Sequence, residues 1–216
     1  LDGIEAFERD YLVTAMNSRL FDLRETNYIT KNPLYYTGLG VSVYVDRPYA
    51  PLEDRMRAYT QYIAQVPARI ATMKKNLEPP LPAPFLRISH GILSGFAGYL
   101  ETTVPELFAA VEDEQLQRQF KAANADAVDA VRQAAAWLDG LKVTATDDYA
   151  LGEERFLKML KAKEGVDVTL AELKAAGELD LQRNLDALNE ACAEFAPGAS
   201  TQDCVLQVQN RKSPEG

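Results

Sequence analysis

The chain has 216 residues, long for one average domain and short for two, and its 47% apolar and 25% charged residues are ordinary for a globular protein. A net charge of −9 with a pI near 4.8 argues against nucleic acid, because neutralising phosphates takes clustered Lys and Arg, and against an anionic membrane surface. No run of about 18 apolar residues is present, so no bilayer-spanning helix is predicted.

The chain opens on Leu1 rather than Met and enters a helical pattern at once, which reads as a processed or trimmed polypeptide without a signal peptide. Residues 3–25 are predicted as an amphipathic helix. Ile4, Phe7, Tyr11 and Ala15 form one stripe, Leu12, Met16, Leu20 and Leu23 lie beside it, and Glu8, Arg9, Arg19 and Arg24 are opposite. A polar stop leads to Asn32-Pro33. Val41, Val43 and Val45 then alternate with polar residues as a strand would. No second strand-like run could pair with them, so a short helix with irregular ends is predicted over 34–45.

Pro51 suits a first helical position, followed by Glu53 and Asp54 at the positive end of the helix dipole. Met56, Tyr59, Ile63 and Val66 are the predicted buried stripe; Pro67 interrupts the helix, and Ile70, Met73 and Leu77 continue the apolar face. Residues 78–84 (EPPLPAP) read as a proline-rich linker of extended geometry. In the next helix, over about 84–103, Phe85, Ile88, Ile92, Phe96 and Tyr99 line one face. Gly91, Gly95 and Gly98 line another, and their helix-weakening cost suggests the close approach of a second helix there.

Pro105 is expected to begin a separate short turn. A long helix follows from about Asp113 to Leu141, with Leu116, Phe120, Ala123, Ala127, Val131, Ala134 and Leu138 on its stripe and Trp137 at the border. Asp147 or Asp148 is expected to cap the next helix, which carries Tyr149, Phe156, Leu157 and Leu160 and ends near Gly165. Thr169 and Glu172 form a capping box. Beyond it Leu170, Leu173, Gly177, Leu181, Leu185, Leu188, Cys192 and Phe195 recur as a core-facing stripe or, alternatively, a coiled-coil seam. Pro197-Gly198 breaks this helix, Ser200 and Asp203 start a last one, and the tail KSPEG is expected to fray. The predicted fold is all-α: an irregular multi-helix bundle of about eight or nine helices with a bent, Tyr-rich hairpin near residues 32–77. It is either a single helical domain over 1–216 or the N-terminal fragment of a larger helical protein.

Few residues point to chemistry. His90 is the single histidine, and a zinc site needs several ligands at fixed spacing. The di-metal bundle pattern Glu-x-x-His fails because Arg87 stands three residues before His90. Glu153/Glu154 and Asp147/Asp148 are explained by helix dipoles and solvation. No phosphate loop, Gly-x-Ser-x-Gly or Cys-x-x-Cys is present. No catalytic, cofactor-binding or metal-ligating residue is therefore assigned. Cys192 and Cys204 flank the Pro197-Gly198 break and could face each other in a helical hairpin, giving a disulfide and implying an oxidising compartment. The alternative is two free buried thiols and a cytoplasmic protein. Tyr35, Tyr36, Tyr44 and Tyr49 could line a cleft, although tyrosines in a turn-rich hairpin more often pack with their hydroxyls at water.

Three stretches in this order, NPLYYTGLG, VYVDRPYAPLEDRMRAYTQYIAQVPARIATMKKNL and YALGEERFLKMLKAKEGVDVTLAEL, resemble the N-terminal part of the bacterial family called domain of unknown function 885. The resemblance covers nearly the whole chain. That family is similar to helical HExxH-plus-glutamate zinc metallopeptidases, including large carboxypeptidases with a deep cleft, and many of its members look exported or lipid-anchored. The resemblance implies a zinc-binding helix in a C-terminal half outside this sequence. No HExxH occurs here, so no family ligand or catalytic residue is carried over to any position. Two expectations follow. Either the chain is one wall of a peptidase cleft, inert without the C-terminal half of its parent and with a peptide as ligand, or it is a free-standing helical module that binds a peptide or protein.

Overall fold

Four of the described α-helices begin at a side chain that caps them, Asp2, Asp113, Thr169 and Ser200. Asp2 accepts from the backbone N–H groups of Ile4 and Glu5 at 3.1 and 3.0 Å and opens α1 (Gly3–Glu25). A four-residue helix, α2 (Tyr28–Lys31), and a 3₁₀ turn over Pro33–Tyr36 follow. Next come α3 (Ser42–Val45), α4 (Leu52–Ile63), α5 (Val66–Asn76), α6 (Ala83–Leu107) and α7 (Glu114–Gly140). Beyond a second 3₁₀ turn, Leu141–Thr144, lie α8 (Gly152–Glu164), α9 (Leu170–Phe195) and α10 (Thr201–Gln209). This computed structural model describes residues 2–211 and is all-α, with no strand among the described residues. The tail, expected to fray, lies outside them from residue 212 onward. The chain divides into two compact units, Leu1–Gly152 and Glu153–Gly216.

In the first unit the stripe predicted across the Pro67 break is buried throughout: Met56, Tyr59, Ile63, Val66, Ile70, Met73 and Leu77. Pro67 lies in the first turn of α5, where no intrahelical N–H is needed, so the helix restarts instead of kinking. Pro51 is the residue before α4, with extended backbone, and not its first helical residue. Arg55 of α4 donates through Nη1 to the carbonyls of Tyr44, Val45 and Arg47 at 3.1–3.2 Å. It thereby satisfies carbonyls that the one-turn helix α3 cannot pair internally.

α6 departs from expectation in two ways. Its core face is Leu86, Ser89, Leu93, Ala97, Leu100 and Val104, not the stripe of large residues, which flanks it half-exposed. Gly91 and Gly95 are exposed and Gly98 borders a hollow shared with α7, and a Cβ at any of the three would meet no atom within 4 Å. The close helix approach read from them is therefore absent among the described residues. At about 100° per residue, Gly91 and Gly95 project away from the Leu/Ala face that α6 buries. Pro105 does not start a new turn but lies inside the last turns of α6. Its missing N–H deprives only the carbonyl of exposed Glu101, which water can serve.

α7 buries Leu116, Phe120, Ala127, Val131, Ala134 and Leu138 as predicted, together with Asn124. The Tyr59 hydroxyl donates to Asn124 Oδ1 at 2.7 Å, and Asn124 Nδ2 donates to Leu100 O at 2.7 Å. This chain of bonds satisfies the buried polar groups and ties α4, α6 and α7 together. Around it Tyr59, Phe108 and Phe120 pack with centroids 5.4–5.7 Å apart. The proline-rich run is docked and is not a free spacer. Leu81 is fully buried, its carbonyl accepts from Thr146 N at 3.0 Å, and Ala83 N donates to Thr146 O at 2.8 Å. α1 is different: only Phe21 is buried, while Ile4, Phe7 and Tyr11 are 72%, 70% and 67% exposed.

At the end of the first unit Asp147 and Asp148 do not cap a helix. They and Tyr149 precede α8, which starts at Gly152 and carries Glu153 and Glu154 in its first turn. Gly165, at φ +69°, takes the left-handed conformation that commonly ends a helix. The Thr169–Glu172 capping box forms with both reciprocal bonds. The stripe beyond it does not face a core among the described residues. Cys192 is the one buried residue of α9, and Leu181, Leu185 and Leu188 are exposed. Ser200 caps α10 by accepting from Asp203 N at 3.1 Å.

Candidate functional site

The end of α4 and the start of α5 form an elbow, because Pro67 cannot continue the α4 hydrogen-bond ladder. Opposite it stands the 3₁₀ turn Pro33–Tyr36. Buried Asn32 starts that turn by accepting from Leu34 N at 3.0 Å, and the Tyr36 hydroxyl anchors it by donating to Ile29 O at 2.8 Å. Tyr35 is thereby turned outward, edge-on to Tyr28 and Tyr36 at centroid distances of 5.9 and 5.1 Å. Between the turn and the elbow lies an open cavity of about 550 Å³. Tyr35, Tyr36, Gly38 and Leu39 line one wall; Ala64, Gln65, Ala68, Arg69 and Thr72 line the other.

Arg69 is the charged residue of this lining, which holds no acidic side chain. Its Nη1 donates to the Tyr62 hydroxyl at 2.9 Å, and its guanidinium carbon lies 5.3 Å from the Tyr62 ring centroid. Tyr62 in turn packs on Tyr44 at 5.3 Å. The Thr72 hydroxyl is committed to Ala68 O at 3.0 Å, whereas the Tyr35 hydroxyl makes no hydrogen bond among the described residues. The groove therefore combines aromatic faces, small-residue floor and unengaged donors.

Of the tyrosines named from the sequence, Tyr35 and Tyr36 line the groove. Tyr44 supports it from behind through Tyr62, and Tyr49 is exposed elsewhere. Arg69, Gln65 and Ala68 were missed. A signal existed: Tyr62 and Arg69 are seven residues apart, about two helical turns, so they share a face across the break. The phenols with perturbed acidity lie away from the groove. Burial pushes Tyr59 well up, with Tyr99 adding to the effect, and burial together with Asp46 raises Tyr99.

His90 borders a second hollow of about 470 Å³ with Ser94, Arg132 and Asp139. A hydrogen bond from Lys142 and that residue's charge hold the Asp139 carboxyl below its usual range. Arg132 pairs with Glu101. One imidazole beside an arginine and an already engaged carboxylate does not fit a zinc ion. Among the described residues no three His, Cys, Asp or Glu side chains form a metal-binding group. Glu154 pairs with Lys158 at 2.9 Å on the surface of α8.

Cys192 and Cys204 are joined by a disulfide with Cα atoms 5.8 Å apart, closing the α9–α10 hairpin. Arg211 lies 4.5 Å above the Phe195 ring in the same hairpin. No described helix is long and apolar enough to cross a membrane. A family model described as a bacterial protein of unknown function (DUF885) matches residues 1–215. No curated protein and no solved structure matches the chain.

Proposed function

We propose, for a chain that belongs to the bacterial DUF885 family, that it forms a helical wall of the substrate cleft of a larger zinc-metallopeptidase-like protein. It holds an extended peptide, and bond cleavage is carried out by residues outside residues 1–216. The groove between Tyr35 and Arg69 is the observation that carries this reading. Aromatic faces take apolar side chains, and the unengaged donors of Tyr35 and Arg69 suit the acceptor-rich backbone of an extended chain.

Two further observations support it. The apolar stripes of α1 and α9 are exposed along most of their length, and contiguous apolar surface of that kind marks an interaction face. The C-terminal half of the parent protein is the proposed cover. The Cys192–Cys204 disulfide supports an exported, oxidising location. Zinc, which the family resemblance implies, belongs in this reading to the C-terminal half. No step of hydrolysis is assigned to the residues described here, and the isolated chain is inactive.

A second reading keeps the groove and drops the parent: a free-standing, non-catalytic module for peptides or proteins. What favours it is that all the described lining residues of the groove lie within residues 35–72. The mass of the native polypeptide separates the two. An antibody raised against this chain should detect a species well above 23.9 kDa in source cells. A native species of 23.9 kDa contradicts the cleft-wall reading and leaves the module.

A further inference from the structure

We infer that the groove selects acidic peptide segments, with Arg69 receiving the carboxylate of a Glu or Asp side chain while a neighbouring apolar residue lies on Tyr35. This rests on the peptide-holding reading above and adds the class of residue held.

The charge balance of the wall points this way. The protein carries a net charge of −9, yet the groove lining contains a cation and no acid. Arg57, Arg118 and Arg132 each lie against a carboxylate. Among the described residues Arg69 instead meets no carboxylate and contacts the Tyr62 side chain, through one Nη and the ring face. That contact fixes the orientation of the guanidinium without neutralising it. A fixed fork loses less freedom on binding than a loose side chain. The remaining N–H groups match one carboxylate in a two-pronged geometry. A phosphate, with nearly twice the charge, is usually met by an arginine cluster, and the groove has one.

The anchor's position selects a side chain over a chain terminus. Lining residues run from Ala64 and Gln65 at the elbow to Ala68, Arg69 and Thr72 on α5. Arg69 lies between them, so a ligand extends past the guanidinium in both directions. A segment whose acid sits mid-chain fills that space; a terminal carboxylate leaves part of it empty. The Tyr35 hydroxyl, free of internal partners among the described residues, is a second donor on the facing wall.

The test is an NMR titration of the full chain with an acetylated, amidated octapeptide containing a central Leu-Glu-Leu, and with its Leu-Gln-Leu counterpart. The Glu peptide should shift the amides of Ala68, Arg69 and Thr72 and bind about tenfold more tightly than the Gln peptide. Added salt should narrow that gap. Arg69→Gln should reduce the Glu peptide to the Gln level and leave the Gln peptide unchanged, and Arg69→Lys should restore part of the difference. Because Arg69 is exposed, the variants should keep the wild-type thermal transition. Equal binding of the two peptides at the groove overturns the acid selectivity and keeps the peptide-holding wall. A Gln peptide with a free C-terminus that matches the Glu peptide overturns the side-chain assignment. No shift at the groove with any peptide overturns both.

Discussion

α7 and α9 are nearly equal in length, 27 and 26 residues, and both carry apolar side chains at helical spacing. α7 buries Leu116, Phe120, Val131 and Leu138 together with several alanines, whereas α9 buries Cys192 and exposes Leu181, Leu185 and Leu188. Periodicity reports which side of a helix is apolar; it does not report whether anything covers that side. The contrast separates the part of the chain that stabilises itself from the part that, in our proposal, awaits a neighbour.

The largest effect should come from removing an α7 side chain. Phe120 is fully buried against Tyr59 and Phe108, so Phe120→Ala should cost about 3–5 kcal/mol in urea unfolding. Leu185→Ala on the exposed α9 face should change stability by less than about 0.5 kcal/mol in the same assay. A large loss from Leu185→Ala would show that α9 has a packing partner in solution, and the contrast would be lost.

Next is the disulfide. Cys192 and Cys204 are 12 residues apart, and in the chain-entropy model closing a loop of that size stabilises by roughly 3 kcal/mol. Reductant should accelerate amide exchange in α10 and the end of α9 while the amides of α7 keep their protection. Equal acceleration in α7 would mean that the two helices unfold as one.

A smaller loss is expected from Tyr59→Phe, which strips Asn124 Oδ1 of its buried donor at a cost of about 1–3 kcal/mol. The same phenol sets an alkaline limit. Its acidity is suppressed by burial, so its folded-state pKa is raised. Its contribution to stability is therefore complete below the unfolded value of about 10 and declines as pH rises above it. Tyr59→Phe should remove part of that alkaline loss in a pH series of unfolding midpoints.

The smallest effect belongs to the α9 cap. The backbone N–H and hydroxyl of Thr169 hold the Glu172 carboxyl below its usual range. Its contribution is therefore present above the unfolded carboxylate pKa and lost as pH falls through the lower folded value. First-turn amides of α9 should exchange faster in acid, and Glu172→Ala should abolish that pH dependence.

How much was legible from residues alone follows the same division. The stripe from Met56 to Leu77 was readable because α4 and α5 have one apolar face each, and all seven residues are buried. The Thr169–Glu172 box was readable because a cap is a local bond between residues three apart. α6 was misread because apolar residues occur nearly all round it. Size singled out Phe85, Phe96 and Tyr99, while packing chose Leu86, Leu93 and Ala97, the face that meets α7. Tyr35 and Tyr36, singled out in the sequence by their place in a turn-rich aromatic run, stand in the lining of the groove. Arg69 was not singled out, since its significance arises only when the Pro33–Tyr36 turn is brought across the elbow by long-range packing.

In our proposal these helices hold a peptide and do not cut it. The direct test is to incubate the purified chain, with and without added zinc, with the Leu-Glu-Leu octapeptide at concentrations where NMR shows the groove occupied, and to follow the peptide by mass spectrometry. The peptide should stay intact throughout, bound and released unchanged. Time-dependent fragments that scale with the concentration of this chain, and persist after the chain is repurified, would contradict the proposal.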